Sequence, residues 1–101
     1  MSLKRMTLGY NLTNQMLSEE KVNNTDIYNA AFMELFQLES DSVLKDLVYQ
    51  GVSLWDSVGH MELIARLESD FKVMIDMDDV IDFGSYEKGK LILLKYQVKI
   101  D

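Results

Sequence analysis

Cysteine and proline are both absent from this chain of 101 residues. Without cysteine there is no disulfide framework, no thiolate metal site and no thiol nucleophile, and the composition fits a cytoplasmic protein. Without proline nothing interrupts a helix from within, which favours an all-α reading. Long apolar runs are missing as well. None approaches the ~20 residues needed to cross a bilayer, and Lys4 and Arg5 are not followed by the apolar stretch of a signal peptide. Basic side chains are scarce where acidic ones gather: residues 41–87 carry 3 basic and 11 acidic groups, against 4 basic and 1 acidic in residues 88–101. An acidic centre repels nucleic acid and anionic lipid and attracts basic protein surfaces, so neither nucleic acid nor membrane is an expected partner. The length predicts one domain with one modest core and no deep enclosed active site.

What is present is helical periodicity. Residues 1–24 are polar and aperiodic and read as a mobile N-terminal tail, within which Met6 and Met16 are alternative starts. The domain is expected over residues 25–101. A first helix is predicted from a cap at Thr25 or Asp26. Ile27, Ala31, Leu35 and Leu38 line one face of it, and Tyr28, Phe32 and Phe36 widen that face. Residues 39–55 form a long connection that must pack by its own side chains. Leu44, Leu47, Val48, Leu54 and Trp55 are the candidates, with Gly51 at a turn. The second helix is the clearest element: Asp56 is its N-cap and it runs to about Asp70. Leu63, Ile64, Leu67 and Phe71 give it a core stripe, while Val58, Met61 and Ala65 give it a second stripe that packing on one side does not require. A short helix is expected within Asp76 to Asp82, and a last helix from a Ser85 cap to about Tyr96. The run Leu91 to Leu94 has strand-like composition, but no other segment alternates well enough to pair with it.

The chemistry concentrates in Trp55-Asp56-Ser57-Val58-Gly59-His60-Met61-Glu62-Leu63-Ile64. A serine directly after an acidic cap stands at a helix start, where outward N–H groups and the helix dipole favour an anion. Apolar Val58, Met61 and Ala65 lie beside it, flanked by Glu62 and Glu68. That is the surface a small acidic protein offers to a basic partner with an apolar notch.

Asp56-Ser57-Val58 resembles the Asp-Ser-Leu attachment motif of the acyl carrier protein family. The likeness continues through Met61-Glu62-Leu63-Ile64, Leu67-Glu68, Phe71, Ile75 and the acidic Asp78-Asp79-Val80. It covers roughly residues 26–96. The resemblance implies an acyl-carrier-like four-helix bundle, with three main helices, one short third helix and a long first loop. It implies a 4'-phosphopantetheine arm on Ser57, placed there from coenzyme A by a phosphopantetheinyl transferase that uses a divalent metal and contacts Asp56. The arm's thiol would hold an acyl or aminoacyl cargo as a thioester. An adenylate-forming ligase, or an acyltransferase or ketosynthase, would be the other partner, meeting a monomeric carrier at Val58, Met61, Glu62, Ala65 and Glu68. The carrier itself would perform no bond chemistry. Val58 in place of Leu, the less acidic Arg66, Ser69 and Lys72, and the Trp55 and Gly59-His60 residues look more like discrete carriers of specialised pathways than the housekeeping fatty-acid type.

Other readings weigh less. A Ser-His-Asp hydrolase would need Asp56, Ser57 and His60 to converge within one helix start, a crowded geometry; a surface histidine is the plainer expectation, as is a core role for Trp55. Asp76, Asp78, Asp82 and Glu87 have the spacing of calcium-loop positions, but Val80 and Ile81 occupy those that need a polar ligand and glycine. No metal site is expected. The alternative from another class is an acidic helical adaptor with the same fold and no prosthetic group.

Overall fold

The computed structural model describes residues 23–101, and these are all-α. Four α-helices follow in order: α1 (Asn24–Leu35), α2 (Ser57–Phe71), α3 (Met77–Asp82) and α4 (Tyr86–Lys95). A 3₁₀ helix, Asp41–Asp46, sits in the connection between α1 and α2. Among the described residues the nearest approach to a sheet is a single antiparallel bridge between Val48 and Ser85. No described helix is long and apolar enough to cross a membrane. Leu91 to Leu94 is helical, within α4.

Each helix starts on a side-chain cap, which satisfies one of the N–H groups a helix start leaves without a partner. Asn23 accepts from the Asp26 N–H, Asp56 from Gly59 and Ser85 from Lys88; α3, where Asp76 has no such bond, is the exception. The first helix therefore starts ahead of the expected Thr25 or Asp26. Thr25 is occupied elsewhere, accepting from the Asp101 N–H at 3.0 Å, while Asn24 donates to the Lys99 carbonyl at 3.2 Å. These bonds tie the chain's end to the start of α1, so the last two residues of the expected tail, Asn23 and Asn24, belong to the domain. The rest of that tail, residues 1–22, lies outside the described residues.

The core is built around aromatic rings. Phe32 meets Tyr28, Phe36, Trp55, Phe83 and Tyr86, mostly edge to face, at centroid separations of 4.9–6.4 Å. The buried face of α1 is accordingly Tyr28, Ala31 and Phe32, continued by Phe36, while Ile27, Leu35 and Leu38 are only half-buried. Large rings that reach the centre take the inward side with Ala31, and Ile27, Leu35 and Leu38 turn to the margin. Tyr28 donates to the Tyr86 carbonyl at 2.6 Å, and burial, reinforced by neighbouring Tyr86 and Glu87, pushes its pKa up. On α2, Leu63, Ile64 and Leu67 are buried. Each fully buried leucine contributes about 1.5–3 kcal/mol. Arg66 joins α2 to α1 through Glu34 at 2.9 Å and also holds Asp70 at 2.8 Å.

The long first connection packs as required, though with fewer anchors than expected. Leu44, Leu47 and Trp55 are buried; Val48 and Leu54 face solvent. The connection is instead fastened by its backbone to the segment before α4. Tyr86 N–H donates to the Leu47 carbonyl and Tyr49 N–H to the Gly84 carbonyl, both at 2.9 Å. Gly51 closes a turn on the Val48 carbonyl at 2.8 Å, but the left-handed residue there is Gln50, φ 66°.

Candidate functional site

Ser57 is the first residue of α2 and is exposed. The carboxylate of Asp56 accepts from the Gly59 N–H at 2.8 Å through Oδ1, and this bond forms the helix start that presents the serine. Gly59 is required by packing. A Cβ there would lie 1.9 Å from the Leu54 carbonyl oxygen and 3.3 Å from Phe36, so only glycine lets the first connection rest on α2 at this point.

His60 is half-buried, which corrects the expectation of a surface histidine. Trp55, fully buried, donates from Nε1 to His60 Nδ1 at 2.9 Å, and His60 Nε2 lies 2.8 Å from the Val80 carbonyl oxygen. Indole is a donor only and a carbonyl an acceptor only, so the partners assign the neutral tautomer with its proton on Nε2. Both ring nitrogens are then committed, one to the first connection and one to α3. Neither is available to Ser57, and Asp56 bonds the helix start rather than His60; the three residues do not form a hydrolytic triad. Trp55 stacks on Phe36 and on His60, interplanar angles 18° and 17°, in the core role expected of it.

Beside Ser57 lies an open cleft of about 300 Å³ between α2 and α3. Its walls are Ser57, His60 and Met61 from α2, and Met77, Val80 and Ile81 from α3. Tyr49, Phe83 and Gly84 complete the lining. Among the described residues no lysine, arginine or carboxylate lines it. The cleft was not legible in the sequence, because its far wall comes from a helix that begins 20 residues after Ser57. The one available signal was Met77 and Ile81, two large apolar residues one turn apart in an acidic segment.

Around the mouth of the cleft the surface is unusually apolar. Val58 is 67% exposed, Met61 52%, Met77 65% and Ile81 73%. The expected docking residues Val58, Met61, Glu62 and Ala65 are all exposed, on the face of α2 turned away from Leu63 and Leu67. Glu68 differs from them: it is half-buried, and its carboxylate accepts from the Ile75 N–H at 2.9 Å. That bond gives it a structural task, pinning the link between α2 and α3.

A further group missed in the sequence holds α3 from the other side. Asp79, read there as part of a solvated acidic helix, is buried, and accepts from Lys95 Nζ and from the Tyr96 hydroxyl, both at 2.6 Å. Lys95 first and Tyr96 second hold its carboxyl below the usual aspartate range. The Tyr96 hydroxyl in turn accepts from the Asp76 N–H at 2.9 Å. Among the described residues no cluster of three or more His, Cys, Asp or Glu side chains is placed to hold a metal ion.

No protein-family model, no curated protein and no solved structure matches this chain.

Proposed function

We propose that this chain is a carrier protein that holds an acyl group as a thioester on a phosphopantetheine arm attached to Ser57. The observation that carries the reading is the position of Ser57. It is an exposed hydroxyl on the first residue of α2, directly after a carboxylate cap, at the mouth of an apolar cleft ringed by exposed Val58, Met61, Met77 and Ile81. A phosphodiester there meets the positive end of a helix of 15 residues. An apolar cargo at the end of the arm finds shelter within reach, and a partner enzyme finds an apolar patch edged by Glu62. The order of elements, with long α1, α2 and α4, short α3 and a long first connection, is the arrangement expected of an acyl-carrier-like bundle.

In the loading step the Ser57 oxygen attacks the phosphorus of coenzyme A that bears pantetheine. A new phosphorus–oxygen bond forms, the pyrophosphate bond breaks, and the adenosine bisphosphate half leaves. The serine proton goes to a base of the phosphopantetheinyl transferase, because both His60 nitrogens are engaged and Asp56 is the helix cap. The arm's thiol then exchanges for the oxygen or phosphate leaving group of an activated acyl donor held by a ligase or acyltransferase. This chain supplies attachment, shelter and recognition.

Incubation with coenzyme A, magnesium and a broad-specificity transferase is expected to add one phosphopantetheine mass, located on Ser57 by peptide mass spectrometry. Ser57→Ala removes the addition and leaves the helical circular dichroism unchanged. Modification at another serine sinks the assignment. No addition with several transferases favours an unmodified adaptor using the same exposed patch.

A further inference from the structure

We infer that His60 is the specificity-determining residue of the cleft beside Ser57: it supplies the aromatic wall of a site that takes compact, uncharged acyl groups and turns away both ammonium-bearing aminoacyl groups and long chains. The inference rests on the carrier reading and names its cargo class.

His60 faces the cleft with nothing polar to give. Trp55 saturates Nδ1 and the Val80 carbonyl takes the Nε2 proton, so the ring contributes aromatic surface only. Tyr49 and Phe83 meet that ring edge to face, at 5.5 and 6.0 Å. With the Met61 and Met77 thioethers this makes a lining suited to a ring or a short branched chain. A free ammonium group entering it would lose water and find no carboxylate among the described lining residues.

The same histidine limits size. A cavity of ~150 Å³ holds one benzene, so a cleft of about 300 Å³ has room for a ring with a short arm or roughly eight chain carbons. Because the cleft is open, a longer chain leaves its end in solvent, and burying that end requires α3 to move away from α2. His60 opposes that movement from the cleft side through Val80, and the Asp79, Lys95 and Tyr96 bonds oppose it from α4. A longer chain must therefore break bonds made by half-buried and buried groups, or remain in solvent.

The test has two arms. In the first, Ser57 is loaded by a broad-specificity transferase from benzoyl-, butyryl-, alanyl- and palmitoyl-coenzyme A, and thioester hydrolysis is followed against the corresponding free pantetheine thioesters. Benzoyl and butyryl are expected to hydrolyse about tenfold more slowly on the protein than free, with alanyl and palmitoyl unprotected. His60→Ala removes the aromatic wall and one α3 tie, so protection shifts toward palmitoyl. His60→Gln, whose amide offers an acceptor to Trp55 and a donor to Val80, keeps the α3 tie and loses the aromatic surface, so palmitoyl stays unprotected while benzoyl loses its protection. Equal protection of alanyl and butyryl in the wild type overturns the inference without any variant. So does an unchanged order in a folded His60→Ala protein. In the second arm, the same free pantetheine thioesters are titrated into the Ser57→Ala chain while the Met61 and Met77 methyl resonances are observed. Shifts with benzoyl and butyryl alone are expected; shifts with all four, or with none, overturn it. Failure to load in the first arm counts against the carrier reading, and the second arm, repeated with His60→Ala in the Ser57→Ala chain, still decides the role of His60: a ligand order identical with and without His60 overturns it.

Discussion

Gly59 shows how one residue beside Ser57 couples the first connection to α2. In a helix interior glycine is about 1 kcal/mol worse than alanine, so an open site would gain from replacement. Here the added methyl would lie 1.9 Å from the Leu54 carbonyl oxygen, and backbone must shift to admit it. Gly59→Ala is therefore expected to destabilise the protein by about 1–3 kcal/mol, the range for overpacking, with the urea slope unchanged. A gain in stability would show that the connection does not rest on α2 there. The sequence shows Gly59 and His60 only as an unusual pair. Their roles depend on Leu54 arriving on one side and Val80 on the other, and neither approach has a local signature.

Helix α3 has only six residues, Met77–Asp82, too few to be stable by itself. It is held by tertiary bonds at both sides, and those on the α4 side should give stability a pH signature. The Asp79 carboxyl is held below its usual range chiefly by the Lys95 and Tyr96 hydrogen bonds, with burial opposing. A carboxyl depressed in the folded state contributes above the ordinary aspartate range and loses that contribution as pH falls through its folded value. Lys95 and Tyr96 are both raised, most by their bonds to Asp79, so their contributions are present at neutral pH and fade as pH rises through the basic range. Asp79→Asn is expected to flatten the acid limb of a plot of urea midpoint against pH. An acid limb identical to wild type would show that the pairing adds nothing to stability. The acidic character of this segment was plain in the sequence. That one of its aspartates is turned inward was not, because Asp76, Asp78, Asp79 and Asp82 are chemically alike and only the position of α4 separates them.

At the scale of the whole molecule, charge is unevenly placed: residues 41–87, which include Ser57, carry the acidic surplus, while residues 88–101 carry the basic surplus. Association with a basic transferase should therefore be steered by charge and screened by salt. Glu62→Lys is expected to slow loading mainly through the association rate, by an amount that shrinks as ionic strength rises. Met61→Ala should also weaken loading, with little salt dependence, because its contribution is apolar burial. Loading rate against carrier concentration at two ionic strengths separates the two. Loss of loading from charge reversals in α4, with no effect from either substitution, would move the docking surface to another face.

The sequence by itself determined the all-α class, the caps Asp56 and Ser85, the exposure of Ser57, Val58 and Met61, and the inward stripe of α2 through Leu63, Ile64 and Leu67, with Phe71 at its end only half-buried. Those features follow from local chemistry: a 3.6-residue period, a side chain able to accept from its own helix start, and the absence of proline. Tertiary structure alone decided that the rings of α1, rather than Ile27, Leu35 and Leu38, fill the core. It also decided that His60 is spent on Trp55 and Val80, and that Met77 and Ile81 complete a cleft begun by Ser57 and Met61. These are contacts between segments far apart in the chain, where the outcome depends on which side chains arrive at the same place and on their size, and periodicity carries no information about either.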